Sequence, residues 1–197
     1  LALAPDAFYA RLVSDLDAIG WHAVTALAPD LRSVDLAVRD AAGREHRLGA
    51  VLPADYPREA PTLRCALPEP FEPSWPAAGD WSLPAAFAQF RDALAKYQAL
   101  WDLLDDLDAH AAVLDPRDPG RDACARRVAL GRHCSLHLRL DPARPGALPE
   151  LWFLGAESVV GPLRARLNEH LGSWRRADTT RANLERVLGV ALPAPTA

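Results

Sequence analysis

The stretch 83-LPAAFAQFRDALAKYQALWDLLDDLDAHAAVL-114 decides the architecture. Phe87, Phe90, Leu94, Tyr97, Trp101 and Leu104 recur at three- and four-residue steps, which places them on one face of a helix. Leu100, Leu103 and Leu107 add an overlapping stripe, so the C-terminal half is apolar over a wider arc. Pro84 suits a first helical turn, and Pro116 forbids continuation. The spacing predicts one helix from Leu83 to about Leu114; two shorter helices bent near Ala99 are the alternative. Such a helix spans roughly 45 Å at 1.5 Å per residue, more than one sheet of ordinary strands needs as cover. It is therefore expected to serve two sheets, one built from the chain before it and one from the chain after it.

Working outward, Asp6 is a fair N-cap for a first helix whose apolar face is Phe8, Leu12, Leu16 and Ile19, ended by Gly20. Trp21–Leu27 reads as a strand. Ser33–Arg39 alternates, with Val34, Leu36 and Val38 inward. Asp40–Gly43 is a hairpin turn, Glu45–Leu52 the return strand, and Thr62–Leu67 a fourth strand. Pro68–Pro84 is a proline-rich loop whose Phe71, Trp75 and Trp81 are expected to pin it to the body. Beyond the long helix, the Pro/Gly/charge cluster Asp115–Gly120 is the expected boundary, giving domains 1–114 and 115–197. The element order then repeats: strands at Arg127–Gly131, Ser135–Leu140 and Glu150–Gly155, and a helix over Ser158–Trp174 carrying Pro162. A last helix follows, capped by Asp178 or Thr179 and stopped by Gly189. Helix-then-meander, taken twice, is an α+β class in which each sheet has one helix-covered face.

Half of the 197 residues are hydrophobic, ample for a core that buries about 70% of the unfolded surface. The net charge is −4, with both signs mixed and no basic tract, so nucleic acid is not the expected partner. No apolar run approaches the ~18 residues that span a membrane. Leu1–Pro5 lacks the charged and apolar regions of a signal peptide. No methionine is present, even at position 1, which suggests a piece of a longer protein. Three unevenly spaced cysteines suit a reducing compartment better than a disulfide framework.

Phosphate-cradling glycine loops and a GxSxG elbow are absent. His133, Cys134 and His137 cluster in sequence, yet on a strand the two histidines share one face and Cys134 takes the other, a poor tetrahedral set; no metal or cofactor is expected. Asp105, Asp106 and Asp108 are expected to form a solvated helix face. Tyr56-Pro-Arg-Glu-Ala-Pro61 resembles the YPxxxP element of the ubiquitin-conjugating-enzyme and RWD superfamily. The His-Pro-Asn stretch that follows it in active conjugating enzymes does not occur. Cys65 alternates with Leu63 and Leu67 on a packed face, so it reads as a structural cysteine rather than a reachable nucleophile.

Leu148-Pro-Glu-Leu-Trp-Phe-Leu-Gly155 is the stretch most informative about function. In a strand Leu151 and Phe153 point one way, Trp152 and Leu154 the other. Both faces are apolar although a two-layer lobe covers only one. The surplus face is either an exposed partner site or is buried by the first domain or the last helix.

Gly43-Arg-Glu-His46, Tyr56–Pro61, Ala125-Arg-Arg-Val-Ala-Leu-Gly131 and Leu148–Ala156, with Phe8-Tyr9, Gly20-Trp21 and Trp101-Asp102, together resemble the central double-RWD (UBC–RWD) region of the FANCL family, RING-type ubiquitin ligases of the Fanconi anaemia core complex. The resemblance covers nearly the whole chain. It implies two RWD lobes and a non-catalytic module that recruits the two ID-complex subunits as substrates for monoubiquitination. It also implies contacts with other core-complex subunits, E2 recruitment only through a RING, and a nuclear and cytoplasmic location within DNA repair. Carried over by position, the family's apolar substrate patch falls on Leu148, Trp152, Leu154 and Ala165; the family pattern has Phe at Trp152 and Ile at Ala165. RING ligands are absent from this sequence, so no ligase activity of its own is expected. The alternatives are a cryptic conjugating-type enzyme using Cys65 or Cys124, and a purely architectural contact within the core complex.

Overall fold

A computed structural model describes residues 6–75 and 81–195; Leu1–Pro5 and residues 76–80 of the Pro68–Pro84 loop, both read above from sequence, lie outside the described residues. The chain forms two units, residues 1–96 and 97–197, and each carries a four-stranded antiparallel sheet in sequential strand order with helices.

In the first unit, α1 (Asp6–Ile19) buries Phe8, Leu12 and Leu16. It ends where the Gly20 amide bonds the Leu16 carbonyl at 2.8 Å. The expected strand from Trp21 instead begins with a 3-10 turn, Trp21–Ala23, before β1 (Val24–Leu27). β2 (Ser33–Arg39) and β3 (Glu45–Val51) pair in the register that the alternation demands, Val34 facing Ala50 and Leu36 facing Leu48. All four are fully buried. Asp40 closes the hairpin by accepting from the Ala42 and Arg44 amides, each at 2.9 Å, and Gly43 takes the positive φ of +82°. β4 (Thr62–Cys65) completes the sheet.

The Tyr56–Pro61 crossover is anchored by Tyr56. Its hydroxyl donates to buried Asp15 of α1 and accepts from the Leu83 amide at 2.9 Å. Leu83 opens α2 (Leu83–Lys96), which buries Phe87, Phe90 and Leu94. The loop aromatics pin their segment as expected: Phe71 meets Phe90 edge-on, Trp75 meets Trp81, and the Trp81 indole donates to the Arg58 carbonyl at 3.0 Å.

The single long helix is not formed. Tyr97 leaves helical geometry (φ −103°, ψ 3°), and α3 (Gln98–His110) starts afresh. An apolar stripe at three- and four-residue steps runs on across a one-residue break, so the pattern could not show it. The division between units therefore lies at Lys96/Tyr97, not at 114/115. The reason is visible in what holds α3. Trp101, 1% exposed, donates its indole N–H to the Arg121 carbonyl at 2.9 Å. Asp105 pairs with Arg121 at 2.7 Å. Asp108 takes both ends of the buried Arg126 guanidinium, at 2.7 and 2.8 Å. Asp106 faces Arg181 at 3.4 Å. The three aspartates are thus not a solvated face; they dock α3 within the second unit.

The end of the expected helix, Val113 and Leu114, instead opens a short strand, β5 (Val113–Asp115). β6 (Ala125–Gly131), β7 (Cys134–Arg139) and β8 (Glu150–Leu154) complete the sheet, and Val128, Leu136 and Leu138 are fully buried on its inner face. α4 (Glu157–His170) starts ahead of Pro162, which sits inside it. α5 (Thr180–Leu188) is capped by Thr179, whose hydroxyl accepts from the Ala182 amide at 3.2 Å, and is closed by Gly189 at φ +63°.

Candidate functional site

β8 is an edge strand of the second sheet, paired on one side with β7. Its register with β7 decides which side chains face the core. Leu151 faces Leu138 and Phe153 faces Leu136, so both lie on the core side and are half-buried. Trp152 faces His137 and Leu154 faces Ser135 on the opposite side. The His137 and Trp152 rings pack against each other at 5.4 Å between centroids, tilted by 56°. Trp152 is 49% exposed, Leu154 45% and Leu148 44%. Within its own unit this outward face is exposed, and the last helix does not bury it.

Gly155 turns the chain out of β8. Its φ of +154° disfavours side chains, and a Cβ there would lie 2.7 Å from the Cβ of Cys134. Ala165 belongs to a different element, α4, and is exposed while Val160 and Leu167 of that helix are buried. Its membership in the patch rests on the family resemblance rather than on strand geometry. Leu171, which the periodicity places on the apolar face of a helix over Ser158–Trp174, instead lies in the 3-10 turn after α4, which ends at His170, and is 37% exposed.

The first unit supplies an internal comparison. β4 holds the same edge position, and its outward residues are Thr62 and Arg64, both exposed. The fold therefore builds this strand without outward apolar side chains.

Other candidates do not converge. His133 lies not on the strand but in the turn before it, at φ +59°. Cys134 is buried, its thiol donating to the Gly131 carbonyl at 3.0 Å, while His137 packs on Trp152. Among the described residues no group of three or more metal-ligating side chains comes together. Burial pushes the Cys65 thiol above its ordinary pKa, the opposite of what a nucleophile needs.

Models of FANCL UBC-like domain 2 and UBC-like domain 3 match residues 6–97 and 99–195. The chain belongs to the FANCL family. It is 36% identical over 187 residues to the E3 ubiquitin-protein ligase FANCL of Mus musculus, a match covering 95% of this chain and 49% of that protein. The chain thus spans about half the length of the curated relative it matches. A crystal structure of FANCL matches with a TM-score of 0.77 at 21% identity, covering 94% of this chain and 49% of that one, a likeness in fold. The two FANCL domain models meet beside Tyr97, where the helix breaks. In FANCL terms the exposed β8 face belongs to domain 3, and Cys65 to domain 2.

Proposed function

We propose that the second unit is a protein-docking module of a RING-type ubiquitin ligase, recruiting the ID-complex subunits of the Fanconi anaemia pathway for monoubiquitination. The observation that carries this reading is the outward apolar face of β8. Trp152 and Leu154 stabilise nothing inside their own unit with their exposed halves, and the equivalent strand of the first unit shows that the fold does not require them. Indoles at the centre of an exposed apolar surface are common binding anchors. Family membership supplies the ubiquitin-ligase context. The module acts by positioning a substrate; the transfer step belongs to a RING elsewhere in the ligase, which alone would meet the E2. Contacts with core-complex subunits and a nuclear and cytoplasmic location are part of the same proposal.

The test is a binding titration of the chain with purified ID-complex subunits. Trp152→Ala combined with Leu154→Ala should weaken binding about a hundredfold while leaving the chain folded. Unchanged affinity on a folded double variant removes the assignment.

A further inference from the structure

The apolar patch does not end with the strand. Leu148 also walls an open cleft whose charged lining is Arg139, Asp141, Arg144, Glu150 and Arg176. The two loops that supply Ala147 and Arg176 to the cleft's lining are tied to each other. The Trp174 indole donates to the Gly146 carbonyl at 3.1 Å, and Gly146 packs so close to the Arg176 backbone that a Cβ would meet that carbonyl at 2.5 Å.

The charges in this cleft do not balance. Asp141 is already engaged: the Ala143 amide donates to it at 2.9 Å and the Arg144 guanidinium at 3.0 Å. These contacts, the amide first, hold its carboxyl below the usual range. What remains is Arg139 and Arg176 against Glu150. All three are exposed, and among the described residues neither guanidinium has an ion pair or a hydrogen-bond acceptor. Glu150 stands opposite Arg139 in the β7–β8 ladder without forming an ion pair.

Arg139 ties the cleft to the patch. It shares the outward face with His137, two residues along β7, and lies diagonally across from Trp152, a spacing of about 7–8 Å in an antiparallel pair. A segment long enough to cover Trp152 and Leu148 therefore passes over Arg139 and the Glu150 opposite it, with Arg176 in the adjoining cleft tipping the balance positive. The planar fork of arginine is suited to carboxylates.

We propose that the segment docking here is acidic as well as apolar: its aliphatic or aromatic side chains cover Trp152, Leu154 and Leu148, and a neighbouring Asp or Glu engages Arg139 and Arg176. The inference rests on the docking reading above and adds the chemistry of the partner. An acid beside an apolar anchor would set register and speed encounter, as charge complementarity does at interfaces generally.

The experiment compares four forms of the chain, with purified ID-complex subunits as the probe, at 50 and 300 mM NaCl: wild type, Arg139→Gln/Arg176→Gln, Arg139→Lys/Arg176→Lys, and Trp152→Ala/Leu154→Ala. Wild-type affinity should fall with salt. The Gln pair should bind five- to tenfold more weakly at 50 mM and lose most of that salt response, while the Lys pair retains it. If the Gln pair binds within twofold of wild type, or wild-type affinity is indifferent to salt, while Trp152→Ala/Leu154→Ala weakens binding about a hundredfold, the acidic partner is wrong and the docking site stands. If no variant alters binding, the docking site falls and takes this inference with it.

Discussion

Removing the outward indole and isobutyl groups together separates docking from folding. An aromatic side chain offers about 150–250 Å² to burial, so the 49% of Trp152 still open to water leaves roughly 100 Å² for a partner to cover. At about 25 cal/mol per Å² that is about 2.5 kcal/mol. Leu154, smaller and 45% exposed, adds about 2 kcal/mol on the same scale. The sum is an upper value, because ordering and desolvation at the interface offset part of it. A loss of about 3 kcal/mol corresponds to roughly a hundredfold in Kd at 1.4 kcal/mol per decade. Isothermal titration of Trp152→Ala/Leu154→Ala against ID-complex subunits reads it directly. The same variant should stay folded at the titration temperature, losing only the half-covered contacts of the outer sheet face. Leu138→Ala is the contrast: it empties a fully buried site and should cost about 2–5 kcal/mol of stability. A double variant that binds within threefold of wild type, or that unfolds like Leu138→Ala, would refute the argument.

Asp108→Ala leaves the Arg126 guanidinium, 3% exposed, without its carboxylate, and urea unfolding should show a loss of about 3–5 kcal/mol; a smaller effect for Arg126→Met would confirm that the stranded charge is what costs. Burial first, and then the hydrogen bond to Asp15, pushes the Tyr56 hydroxyl far above the ordinary tyrosine range. The unfolded chain releases that proton near pH 10 while the folded chain keeps it, so stability from this group is complete below pH 10 and declines as pH rises beyond it. Tyr56→Phe should be less stable at pH 7 by about 1–3 kcal/mol, since the Leu83 amide and Asp15 lose their partner, and should lack this part of the alkaline decline; parallel stability curves for the two proteins would count against it. Gly155→Ala forces a Cβ to 2.7 Å from the Cys134 Cβ at φ +154°, and its melting temperature should drop by at least about 4 °C, the shift that 1 kcal/mol produces in a domain of 60–100 residues. Incubation of the chain with E1, ubiquitin and ATP should yield no DTT-sensitive adduct on Cys65; a thioester there would revive the conjugating-enzyme reading.

What was legible in the sequence was whatever a short-range period records. Val34/Leu36 and Leu136/Leu138 announce strands with one buried face, and Thr179 with Gly189 brackets the last helix, because caps and pleats act over a few residues. The hidden features are set by distant neighbours. Tyr97 interrupts a stripe whose phase continues unbroken, so nothing local marks it. Val113–Asp115 becomes a strand because β6 lies beside it, Val113 facing Val128. The aspartates of α3 look solvated until Arg121, Arg126 and Arg181 are brought to them. At the site, alternation separated Leu151/Phe153 from Trp152/Leu154, but which pair met the core depended on register with β7.

The two fourth strands show why outward apolarity carries information that exposure alone does not. Scattered exposed leucines are ordinary on any surface. Here the same topology is built twice in one chain, and the inward residues agree in kind: Leu63 and Cys65 against Leu48 and Ala50 in one unit, Leu151 and Phe153 against Leu136 and Leu138 in the other. Inward positions are held by packing, so they match. Outward positions are free of that demand, and there the two strands differ, Thr62 and Arg64 against Trp152 and Leu154. An edge strand with a large apolar outward face is an aggregation hazard that proteins ordinarily blunt with charge, as Arg64 does in the first unit. Retaining Trp152 and Leu154 exposes the second unit to that hazard without any gain in folding. On the docking reading proposed above, the compensating gain lies in what covers them, and the excess of Arg139 and Arg176 over Glu150 beside the patch sets the sign of charge proposed for that cover.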